Sequence, residues 1–94
     1  FRAAIILSPG LSQTHYNLGV SLYRLNRLPE AVHSLQKAVA INGRYAAAFY
    51  YLSQAGIDSR QYAESLDYIN KSLEAEPQNA DFLATKGLIY FKLG

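Results

Sequence analysis

The chain has 94 residues, 50% of them hydrophobic and 17% charged, with 9 basic against 7 acidic side chains and a formal charge of +2. That balance excludes a disordered tail, and basic residues scattered from Arg2 to Lys92 form no run that would grip nucleic acid or an anionic membrane. Without cysteine there is no disulfide, thiolate metal site or cysteine nucleophile.

No apolar stretch reaches the ~18 residues that a membrane span needs, so no membrane insertion is expected. The chain also lacks methionine, so residue 1 is not a retained initiator. A piece of a longer protein, or a processed product, is expected.

The first stretch, "FRAAIILS", reads as the end of a helix that Pro9 breaks. From Gln13 to Leu25 a second helix is predicted, with Leu18, Gly19, Leu22 and Leu25 on its packing face, Ser12 as N-cap and Leu11 and Tyr16 as a hydrophobic staple. After a short connection at Asn26 and Arg27, Pro29 opens a third helix through Ala31, Val32, Leu35, Ala38 and Val39. Helices follow near Ala47–Ser59, Ala63–Glu76 and Asp81–Leu93. Short connections make successive helices antiparallel.

A step of 34 residues relates these elements. It carries Gly19 to Ser53 and Gly87, Pro9 to Gly43 and Pro77, Ala4 to Ala38 and Ser72, and Ala31 to Ser65. A fixed period of this length means stacked supersecondary units. Small residues at Gly19, Ala31 and Ala38 let paired helices approach closely, which offsets the glycine's cost of about 1 kcal/mol in helix propensity. In the next unit these places hold Ser53, Ser65 and Ser72, whose hydroxyls need carbonyl partners, most simply one turn back. That pair is expected to be the looser one.

With its 34-residue period, its "NLG…Y" first helix, its "EA…L..A" second helix and its closing proline, the stretch "YNLGVSLYRLNRLPEAVHSLQKAVAI" resembles the tetratricopeptide repeat family. The resemblance implies an all-α, right-handed α-solenoid of antiparallel helix pairs. Residues 1–11 would be the second helix of a preceding repeat, 12–45 and 46–79 two repeats, and 80–94 the first helix of a following one. Four residues depart from the family pattern: His15 stands for a bulky apolar residue, Gly43 for the turn proline, Gly56 for a large core residue and Lys86 for a leucine.

The chemistry of an enzyme is missing from these residues. His15 and His33 fall on different helices and faces, no paired acids share a helix face, and no serine sits in a nucleophile turn. The six glycines form no phosphate loop. No catalytic, cofactor or metal residue is expected.

In the family the first helices line a concave groove that holds an extended peptide or a helix. Helical spacing on the faces left free by packing assigns Tyr16, Val20 and Tyr23 to this groove, beside Gln13, Asn17 and Arg24. The next helix adds Tyr50, Gln54 and Ile57, with Ala47, Tyr51 and Asp58; the last adds Ala84, Leu88 and Phe91, with Asp81, Thr85 and Lys92. The groove is tyrosine-rich and formally neutral.

The partner expected is therefore a protein or peptide with apolar anchors. Nucleic acid is not expected, for want of the phosphate-binding charge that dominates such affinity. The cation set with which relatives clamp acidic chaperone tails is absent, its places holding Tyr16, Val20, Tyr51, Asp81 and Thr85. Alternatives are a substrate-docking or regulatory segment of a larger enzyme, and a self-assembly module. End-to-end association is expected through Tyr90 and Leu93 at one end and Phe1 and Ile5 at the other.

Overall fold

The computed structural model describes residues 9–94 as helices joined by short turns. The expected helix over 1–8, with Phe1 and Ile5, lies outside the described residues. Five helices follow: α1 (Pro9–Arg24), α2 (Leu28–Ile41), α3 (Ala46–Asp58), α4 (Tyr62–Ala75) and α5 (Ala80–Leu93). They stack as an α-solenoid of antiparallel pairs, 47 × 28 × 18 Å, each helix packing chiefly on its neighbours in sequence.

The turns repeat with the sequence. Asn26 and Arg60, 34 residues apart, both adopt φ +63°, and Gly94 at the same step has φ +83°. Asn26 suits this left-handed conformation, whereas Arg60 adopts it with no help from its side chain. The other turn closes alike in both units: Tyr45 N–H donates to Asn42 O at 3.2 Å and Asn79 N–H to Glu76 O at 3.2 Å. Gly43 replaces the proline there without using its freedom, since its φ is not positive.

The core forms two clusters. In one, Leu35 and Ala38 of α2 meet Ala48, Phe49 and Leu52 of α3. In the other, Ala46 and Ile69 meet Phe82 and Ile89 of α5. Gly19 is buried where expected: a Cβ there would lie 2.6 Å from Leu35 Cγ and 3.3 Å from Ala31 O.

Four expectations about packing are corrected. Ser12 is no N-cap: α1 begins by Pro9, and Ser12, 2% exposed, donates from within the helix to Ala38 O at 2.9 Å. The staple fails with it, for Leu11 is exposed and Tyr16 packs on Tyr45 and Tyr51 instead. Leu18 and Leu25 do not pack inside; they are 50% and 67% exposed. The counterpart of Leu18, Leu52, is buried against α2, while no described helix lies over Leu18 itself.

The serines of the second pair find their carbonyl partners across helices as well as one turn back. All three are fully buried, and Ser53 Oγ donates to Ser65 O at 2.9 Å while Ser65 Oγ donates to Ser53 O at 3.0 Å. Ser65 Oγ also lies 3.0 Å from Gln61 O one turn back, and Ser72 Oγ donates to Ala46 O at 2.9 Å. This reciprocal clasp replaces the small-on-small contact of Gly19 with Ala31. Gly56 belongs to it: a Cβ at that place would overlap Ser65 Oγ, so the missing side chain leaves room for the hydroxyl.

Candidate protein-interaction face

The first helices α1, α3 and α5 lie side by side along one flank, tied by side chains that reach from each to the next. Tyr23 Oη donates to Asp58 Oδ2 at 2.8 Å, linking α1 to α3. Gln54 Nε2 donates to Thr85 Oγ1 at 3.1 Å, linking α3 to α5, and Thr85 Oγ1 in turn donates to Asp81 O at 2.9 Å. On the opposite flank Gln36 Nε2 donates to Tyr68 Oη at 3.2 Å, linking α2 to α4.

An aromatic ladder links the same first helices. The rings of Tyr16 and Tyr45 stand 4.9 Å apart, Tyr23 and Tyr51 5.7 Å, Tyr50 and Tyr51 5.4 Å, and Tyr50 and Phe82 5.3 Å. These tyrosines are half-buried, so they spend part of their surface joining first helices to one another. Tyr45 and Phe82 escaped the sequence reading. Helical spacing assigns faces within one helix and is silent on which rings meet between helices.

Electrostatics follow the burial. Burial, then the bond to Asp58 and its negative charge, push the Tyr23 hydroxyl up to about 12. It therefore stays protonated and donating at neutral pH. Burial also raises Tyr16, against which the positive charge of Arg24 acts, and raises Tyr45.

Of the residues assigned to the groove, Gln13, Asn17, Arg24, Asp58, Asp81, Leu88 and Phe91 are exposed. Tyr16, Val20, Tyr23, Ala47, Tyr50, Tyr51, Gln54 and Ile57 are half-buried. Thr85 is not at the surface: it is 6% exposed, sealed under Gln54 and its own helix backbone. At the far end Leu83, Tyr90 and Leu93 stand 50%, 53% and 50% exposed. Lys86 Nζ sits 5.9 Å from the centre of the Tyr90 ring.

Among the described residues no cluster of three or more histidine, aspartate and glutamate side chains forms a metal site. No described helix is long and apolar enough to cross a membrane.

A family model for the tetratricopeptide repeat matches residues 1–47 and again 16–80. A DnaJ homolog subfamily C member 7 homolog of Dictyostelium discoideum is 27% identical over 85 residues, covering 86% of this chain and 16% of that protein. The BBSome complex member BBS4 of Bos taurus is 28% identical over 79 residues, 84% of this chain and 15% of that protein. The chain thus spans less than a fifth of these relatives. A crystal structure of MamA superposes with a TM-score of 0.88 at 23% identity, over 96% of this chain and 49% of that one. A second gives 0.83 at 23% identity, over 92% and 50%. Period, turn geometry, helix pairing and the doubled family match agree, and the chain belongs to the tetratricopeptide repeat family.

Proposed function

We propose that this segment is a protein-interaction scaffold, holding a peptide or helix with apolar anchors against the flank lined by α1, α3 and α5. One observation carries the reading. Leu88 and Phe91, 42% and 79% exposed, stand on α5 at the places of Val20 and Tyr23 on α1, and Tyr23, Ile57 and Phe91 form an apolar line across the three first helices. Exposed aromatic and aliphatic area of this kind anchors interfaces.

The test is selection of random 12-residue peptides on the immobilised chain. Because Tyr16 and Tyr50 also join first helices, the variant of choice is Leu88→Ser with Phe91→Ser, which touches exposed residues only. Selected peptides are expected to lose about tenfold or more in affinity on it. They should bind His33→Ala and Lys37→Ala, on the other flank, as they bind the parent. The reverse pattern would move the site to the second helices.

A second reading is self-assembly, favoured by the open face of α5. A Cβ on Gly87 would meet nothing within 4 Å, whereas at the same place on α1, Gly19 is covered by α2. Repeat interfaces are interchangeable along an array, so a second copy fits that face end to end. Light scattering at high micromolar concentration should then report a mass above one chain that falls on dilution. One chain's mass at every concentration would exclude it.

A further inference from the structure

The charges on the proposed groove are ordered. Arg24, Asp58 and Lys92 recur at the 34-residue step, one at the end of each first helix, so they form a row that reads positive, negative, positive. All three are exposed. Among the described residues the ion pair is Arg27 with Glu30, at 3.4 Å, which leaves Arg24 and Lys92 without a carboxylate. Arg60, two residues past Asp58, makes no ion pair with it. Asp58 is fixed by Tyr23 through one oxygen and keeps the other for a ligand. One residue earlier in each helix lie Tyr23, Ile57 and Phe91, an apolar line beside the charged one.

We infer that, if the groove reading above holds, the partner is an extended segment whose charges run acidic, basic, acidic beside a line of apolar side chains. Packed helices lie roughly 8–10 Å apart. Three residues of polyproline II advance about 9.3 Å and return to the same face. The charges of the partner therefore recur every third residue, its two carboxylates on Arg24 and Lys92 and its central cation on Asp58. The order is the same read from either end, so charge alone fixes spacing and leaves chain direction to the apolar anchors. Formal neutrality of the groove hides this, because the net charge sums what the row keeps apart.

The same peptide selection tests the inference, with Arg24→Glu and Lys92→Glu combined as the decisive variant and the Arg24→Gln, Lys92→Gln chain as a milder one. Circular dichroism checks that both keep the parent's helicity. Peptides selected on the parent should carry acidic, basic and acidic residues three apart. They should lose about tenfold on the Glu variant, less on the Gln variant, and lose the difference in molar salt. Selection on the Glu variant should raise the basic share of the outer positions and leave the middle one basic, since Asp58 is unchanged. Peptides sharing apolar anchors without charge order, or binding the Glu variant as well as the parent, would overturn the charge inference and leave the groove reading standing. Failure to enrich any peptide would overturn both.

Discussion

Gly19→Leu is expected to lower stability by roughly 1–3 kcal/mol, on the order of 10 °C in melting temperature. A Cβ alone would stand 2.6 and 2.8 Å from Leu35 Cγ and Cδ2. Leu35 is fully buried among α2 and α3 residues, so it has no open side to turn toward. The helix-propensity gain of about 1 kcal/mol on removing a glycine is too small to offset the overlap. The same register position on α5 gives the opposite sign. Gly87 has nothing within 4 Å of its Cβ direction, so Gly87→Ala should raise stability by up to about 1 kcal/mol. Thermal melts of the two variants decide the matter. A Gly19→Leu chain that melts with the parent would refute the pairing of α1 with α2.

Gly56→Ala should also destabilise, and Ser65→Ala should rescue it. The new methyl meets Ser65 Oγ, and that hydroxyl is held in place by Ser53 O and Gln61 O at 3.0 Å each. Removing the hydroxyl leaves the methyl 3.4 Å from Ser65 Cβ, an ordinary contact, and 3.3 Å from Gln61 O. Ser53 keeps its acceptor, since it donates to the backbone of residue 65. The double variant should therefore melt above Gly56→Ala, with a coupling of about 0.5–3 kcal/mol in a double-mutant cycle. Additive effects would mean that Gly56 is small for a reason other than Ser65.

The helices and their pairing were legible because period and spacing are properties of the chain itself. Asn26, Pro29, Gly19 and Ala31 each announce a local conformation or a close approach. Ser12 was misread for the same reason that it is informative: a serine before an apolar run matches an N-cap, and only the position of α2 shows that its partner is a carbonyl 26 residues away. The serine clasp was half legible. Smallness at Ser53 and Ser65 could be read from the step of 34, but their exchange of hydrogen bonds is a relation between two helices. Arg60 carries no local sign of its φ of +63°; the sign lies one period earlier, at Asn26. On the candidate face the sequence placed Tyr23 and Asp58 on neighbouring helices of one flank. Their bond depends on how far one first helix is advanced past the next.

Ser12 bonds to the carbonyl of Ala38, and one period on Ser72 bonds to the carbonyl of Ala46. Ser12 and Ala46 are the same place in successive repeats, and so are Ala38 and Ser72. Donor and acceptor have therefore changed sides while the bond has stayed. What a lineage of duplicating repeats must preserve at this junction is one hydroxyl between two places, not a residue at either. Each place is then free to drift to alanine provided that its mate holds the serine. Two copies that look divergent column by column remain exchangeable units, and substitutions at these columns should be inherited in pairs.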